Sequence, residues 1–143
     1  MHQDNNRTIK TKHGELTLEQ LAEHQPGMAR LMKEIGERYN IAYFAAKGGN
    51  WKLASHEIKQ IISLMRTAIV FRPKYSSDIT NFIIDYLNPI LSSTQSRNWP
   101  RFEQVFKQGI DSSNKLHEKY GYGYIRYLIP KHPPEIYDME YDK

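Results

Sequence analysis

The stretch from Gly27 to Phe71, GMARLMKEIGERYNIAYFAAKGGNWKLASHEIKQIISLMRTAIVF, decides the fold class. Met28, Leu31, Met32, Ile35, Tyr39, Ala42, Tyr43 and Ala46 recur at three and four residues, the spacing that collects side chains on one helical face. The pattern predicts a helix from Pro26 to about Lys47, ended by Gly48 and Gly49. Asn50 is a good N-cap for a second helix with the stripe Trp51, Ala54, Ile58, Ile61, Ile62, Met65, Ala68 and Ile69. That helix stops before Pro73, because the residue ahead of a proline is pushed out of helical geometry. Two long helices joined by so short a turn are expected to be antiparallel neighbours.

Upstream, Thr17 and Gln20 form a capping-box pattern that opens a short helix through Leu18, Leu21 and Ala22, interrupted by Pro26 and Gly27. Residues 1–15 read as a polar arm. They contain no apolar run, so the chain as it stands begins with neither a signal peptide nor a membrane anchor, although an arm of this kind also suits a mature end left by leader cleavage.

Downstream, a third helical pattern covers roughly Ser77 to Leu91 with Ile79, Phe82, Ile83, Tyr86, Leu87, Ile90 and Leu91. Pro89 lies late enough to kink it or split off a final turn. Ile84 falls outside the stripe, so this third helix is expected to be covered on two sides, and self-association into a homodimer is the expected use of its extra apolar surface. A polar turn is read at Ser92–Arg97. Asn98 then caps a fourth helix carrying Trp99, Phe102, Val105, Phe106, Ile110, Ser113, Leu116, His117 and Tyr120, ended by Gly121 and Gly123. Beyond it the YGYGYIRY run and Pro130, Pro133 and Pro134 favour an extended aromatic strap lying back across the helices.

The expected fold is therefore all-α: an antiparallel four-helix bundle with a short extra N-terminal helix and an extended C-terminal tail. Its 143 residues suit one core. We divide the chain into a polar arm at 1–15, a single helical domain at 16–134 and a tail at 135–143.

Composition narrows the function. The net charge is +4, but basic and acidic residues are interleaved and no helix carries a dense Lys/Arg stripe, which argues against nucleic acid as a partner. With no cysteine there is no disulfide, thiolate metal site or thiol nucleophile. No glutamate has a histidine three residues later, so the paired Glu-x-x-His ligands of di-metal bundles are missing. Gly48-Gly49 follows no strand and reads as a turn rather than a phosphate loop. No nucleophile or paired carboxylate stands out, and an enzyme is not expected.

Among six histidines, His2, His13, His24 and His132 lie in the arm, beside the Pro26 break or in the tail, and His56 projects away from its helix's apolar stripe. His117 differs: it follows Trp99 by eighteen residues, five full turns, and so falls on the apolar stripe of the fourth helix. It reads either as a hydrogen-bonded core histidine or as an axial ligand to haem iron or another metal. Met28, Met32 and Met65 on the stripes read first as gap-fillers. Tyr39, Tyr43, Tyr86 and Tyr120 bring hydroxyls that suit a small polar pocket or reach the surface.

The segment Ser113-Asn114-Lys115-Leu116-His117, followed by Gly121-Tyr122-Gly123-Tyr124-Ile125-Arg126 and Pro130 to Pro134, resembles the haem-attachment region of small bacterial c-type cytochromes of the cytochrome c-prime-like, helical-bundle kind. There the segment reads Cys-x-x-Cys-His, then a Gly-x-Gly-aromatic turn and a basic, proline-rich tail. The resemblance extends upstream to Met32, Arg38, Phe44, Asn50-Trp51 and Leu53-Ala54, roughly residues 26–134. Ser113 and Leu116 replace both thioether-forming cysteines while His117 remains, so covalent haem attachment is chemically impossible.

The resemblance implies an exported, periplasmic protein with one of two functions. The first is a non-enzymatic bundle without covalent haem that acts as a binding or interaction module, favoured by Leu116, which restores apolar packing where a sulfur would have stood. The second is a redox or gas-binding protein holding haem non-covalently, with His117 as proximal ligand to the iron and Tyr39, Met32, Trp51, Phe102, Phe106 and Tyr120 around the macrocycle.

Overall fold

Gly49 ends the first long helix with a φ of 95°, a left-handed conformation open to glycine and costly for a residue with a Cβ. The turn lets the Asn50 amide reach the Ala45 carbonyl at 2.8 Å, and the Asn50 side chain then accepts from the Leu53 amide at 3.1 Å to start the next helix. In the computed structural model, which describes residues 7–25 and 27–143, these helices are α2 (Met28–Gly48) and α3 (Trp51–Phe71), after a short α1 (Leu18–Glu23). The protein is mostly helical with one small two-stranded sheet. The expected helix start at Pro26 and the first six residues, His2 among them, lie outside the described residues.

The rest of the expected polar arm is ordered differently. Thr8–Thr11 (β1) and Gly14–Thr17 (β2) pair antiparallel, with Ile9 opposite Leu16 and Lys10 opposite Glu15. Threonine and isoleucine, which favour extended backbone, suit this hairpin, and Gly14 at φ 140° closes its turn. Thr17 and Gln20 form the expected capping box. None of β1, β2 or α1 contains a buried residue, so Ile9, Leu16, Leu18 and Leu21 stay exposed.

The third pattern is longer and less regular than its stripe suggests. A 3₁₀ turn at Pro73–Tyr75 leads into α4 (Ser76–Phe82), a single π turn (Ile83–Leu87) and α5 (Asn88–Gln95). Pro89 has no N–H and its ring crowds the carbonyl four residues back; the wider π turn just ahead of it takes up that misfit, and the helix runs on instead of ending. The polar turn expected at Ser92–Arg97 is thus corrected: Ser93 and Thr94 are buried within α5, their hydroxyls donating to the Ile90 and Leu91 carbonyls. Ile84 is exposed, as its place off the stripe requires, and no second layer covers it among the described residues.

Asn98 caps α6 (Trp99–Lys119), whose Trp99, Phe102 and Phe106 rings stack at 5.8 and 5.4 Å. Phe102 and Phe106 are fully buried, each contributing roughly 1.5–3 kcal/mol by removal from water. Within the stripe of α3, Glu57 is buried as deeply as the isoleucines and is held by Arg38 at 2.9 Å. Loss of Arg38 would leave Glu57 as an uncompensated buried charge, whereas Arg38 is partly exposed and also lies 3.8 Å from Glu34.

In α2 every residue from Ile41 to Ala46 is buried, more than one stripe allows. Cover on several sides explains it: α3, α6 and the tail residues Tyr127, Ile129 and Met139 all pack on this core. The tail does lie back across the helices as expected, and its last residues are part of the body rather than a separate end. Asn50 donates to the Asp138 carbonyl at 2.6 Å and its amide to Met139 at 3.0 Å, while Asp142 meets Arg97 at 3.0 Å.

A Cβ at Gly48 would stand 2.7 Å from the Met139 carbonyl oxygen. Replacing a helical glycine by alanine ordinarily stabilises by about 0.5–1 kcal/mol. Gly48→Ala is expected to do the reverse, lowering the melting temperature and speeding protease cleavage between residues 130 and 143; a higher melting temperature with an equally resistant tail would contradict the docking described.

Candidate functional site

Asn114, buried on the last inward turn of α6, has both ends of its amide engaged by one residue of the tail. It donates to the Tyr127 carbonyl at 2.9 Å and accepts from the Tyr127 amide at 2.8 Å. This clasp fixes the Tyr127 ring over α2, where its hydroxyl donates to the Met32 carbonyl at 2.9 Å. Gly36 makes the approach feasible, since a Cβ there would lie 2.9 Å from the Tyr127 ring. A mid-helix glycine is costly, and here the cost is met by close packing of an aromatic ring.

Beside Tyr127 lies a half-open cavity of about 190 Å³ lined by Gly36, Tyr39, Asn40, Phe106, Ile110, Tyr127, Leu128 and Pro130, with Leu128 exposed at its rim. No lining residue carries a formal charge. Tyr39 Oη and Asn40 Oδ1 are buried and have no hydrogen-bond partner. Such atoms are uncommon, because an unpaired buried polar group costs about 1–3 kcal/mol. Burial, aided by the neighbouring Tyr127, holds the Tyr39 phenol well above its ordinary titration range, so it is a neutral hydroxyl, donor and acceptor at once. Burial likewise raises Tyr127.

His117 sits on the outer side of Tyr127, its ring centroid 5.5 Å away. It is half-buried, not central to the core as the stripe predicts, because the fully buried face of α6 ends at Asn114 and His117 is covered on its side by the tail, while Leu116 still packs on the core and Tyr120 on Tyr75. Its Nδ1 lies 3.1 Å from the Ile125 carbonyl, which can only accept; Nδ1 therefore carries the proton in the neutral ring, and Nε2 keeps the lone pair.

The residues expected around a haem do not gather at one place. Tyr39 and Phe106 meet edge-on at 5.5 Å beside the cavity, and Met32 borders the same end, although its backbone carbonyl rather than its thioether is engaged. Trp51 packs on Phe102 at 6.2 Å, and Phe102 precedes His117 by fifteen residues, about 22 Å along a helix. Tyr120 turns the other way, meeting Tyr75 edge-on at 4.6 Å and donating to Asp78, which also accepts from Lys119 at 2.9 Å. Those two donors, Tyr120 first, hold the Asp78 carboxyl below its usual range.

Tyr127 stands between His117 and the core, 6.4 Å from Tyr39, in the space a macrocycle ligated by His117 would need. The cavity is also smaller than the roughly 300–1,000 Å³ of cofactor sites. With the strap closed, these residues do not fit a haem. Among the described residues, no group of three or more His, Asp or Glu side chains is placed to hold a metal ion.

Gly36, Asn40, Ile110, Asn114 and Tyr127 build the site, and sequence reasoning passed over their roles. Gly36 within a strongly periodic helix was the one local sign of a close approach; the pairing of Asn114 with Tyr127 spans thirteen residues of irregular chain and leaves no periodic trace.

Because the Tyr39 hydroxyl is unpartnered, Tyr39→Phe is expected to leave stability unchanged or to raise it by up to about 1–2 kcal/mol in urea unfolding. A loss of 1 kcal/mol or more would show that the hydroxyl is paired.

Comparison with protein-family models, curated proteins and solved structures gives no match, so a functional assignment stands on these residues alone.

Proposed function

We propose that this protein is an antiparallel four-helix bundle without covalent haem, non-enzymatic, that works as a binding module through the strap-covered cavity between α2 and α6. The observation that supports this most directly is that two of the three unpartnered buried side-chain atoms among the described residues, Tyr39 Oη and Asn40 Oδ1 but not Arg38 Nε, belong to residues that line the cavity. Natural structures rarely retain such atoms where packing alone is at stake, and local rules are broken most often at functional sites. An extracytoplasmic location belongs to the proposal through the cytochrome resemblance, and so does self-association through the third helix, on the exposed Ile84; a monomeric mass in sedimentation removes the latter.

A second reading is favoured by one observation, the free Nε2 of His117. A proximal histidine presents Nε2 to iron while its Nδ1–H is held by a carbonyl, and His117 has that hydrogen bond to Ile125. Haem would require Tyr127 to leave its place and break the clasp with Asn114.

Titration of the purified protein with hemin, followed by absorbance, separates the two, with His117→Ala in parallel. The binding-module reading predicts no saturable one-to-one Soret shift in either protein. A shift that saturates at one equivalent and disappears in His117→Ala would overturn it in favour of non-covalent haem.

A further inference from the structure

Resting on the reading of the strap-covered cavity as a binding site, we infer that its ligand is a small uncharged molecule with one ring-sized apolar body and one hydroxyl or amide group, bonded to Tyr39 and Asn40.

Size sets the first limit. A cavity of 150 Å³ lined by apolar side chains accommodates benzene. The about 190 Å³ here is enough for one six-membered ring with a short substituent, and because the site is half-open, with Leu128 exposed at its rim, any larger molecule would leave its remainder in solvent.

Charge sets the second. Gly36, Tyr39, Asn40, Phe106, Ile110, Tyr127, Leu128 and Pro130 supply no ion to pair with a carboxylate, phosphate or ammonium group. The nearest ion pair in sequence is directed from α2 to α3, Arg38 Nη1 meeting Glu57 at 2.9 Å; Arg38 Nε is buried without a partner, but Arg38 does not line the cavity. An ionised ligand would be buried without a counter-charge, which is far more costly than burying a neutral one.

Hydrogen bonding sets the third. Tyr39 Oη donates one bond and accepts another, and Asn40 Oδ1 accepts. A ligand hydroxyl can donate to Asn40 Oδ1 and accept from Tyr39 Oη, the roles these two atoms leave open. A primary amide does the same with its N–H and its carbonyl. Phe106 and Tyr127 supply aromatic walls, and Ile110, Leu128 and Pro130 supply aliphatic ones. Water filling the cavity is the competing account.

Calorimetric titration of the full chain with phenol, toluene and benzoate tests this, using wild type, Tyr39→Phe and the distant control Tyr120→Phe, with folding of each checked by circular dichroism. Phenol is expected to bind wild type and Tyr120→Phe with one-to-one saturation. Tyr39→Phe should weaken phenol about tenfold, the loss of one neutral hydrogen bond, while toluene binds it at least as well as it binds wild type. Benzoate should not bind. Absence of phenol binding to folded wild type would overturn the inference and point to water alone, as would equal phenol affinity for wild type and Tyr39→Phe, or benzoate binding as tightly as phenol. In both of the first two cases a flat hemin titration would still leave the haem-free reading in place, whereas a His117-dependent Soret shift would remove both.

Discussion

The reciprocal hydrogen bonds between the Asn114 side chain and the Tyr127 backbone hold the site together. An asparagine amide offers a donor and an acceptor in a fixed plane, which is what the N–H and C=O of one extended residue require. Because Asn114 is buried, water competes poorly for either bond. The clasp turns an irregular, proline-rich segment into a wall of the helical body, and it sets where the Tyr127 ring lies. The Met32 bond, the need for glycine at 36 and the cavity over Tyr39 all follow from that placement.

The same segment is anchored again near its end, where Asn50 uses its side chain twice, as N-cap of α3 and as donor to Asp138. A strap held at both ends loses its freedom once and covers α2 over several turns, which accounts for the burial of Ile41 through Ala46 all round. The cost is concentrated at Gly48 and Gly36, the two helical positions where tail atoms come closest. At this contact the fold spends helix propensity to bring backbone and ring onto the helix surface.

Much of this was legible in the residue pattern. The stripes of α2, α3 and α6 follow from spacing alone, and Thr17, Asn50 and Asn98 cap where their side chains predict. Periodicity reports one neighbour per helix, so it failed where a second neighbour exists, at Ile41, Phe44 and Ala45. It also failed where backbone chemistry overrides polarity: Ser93 and Thr94 satisfy their hydroxyls inside α5, and the hairpin at residues 8–17 is too short and too exposed to show a buried face. For His117 the stripe gave the right helix and the wrong depth. What decides its surroundings is the tail, and tail pairing depends on contacts distant in sequence rather than on any local repeat.

Hydrogen exchange at the Tyr127 amide tests the central claim most directly, because the account rests on this one N–H being donated to a buried side chain. The account predicts protection comparable to the amides at the centre of α6, lost in Asn114→Ala while the α6 amides remain protected. Exchange of the Tyr127 amide in the wild-type protein at the rate of an unstructured tail would contradict it: the strap would then be unclasped, and the cavity beneath it would have no wall.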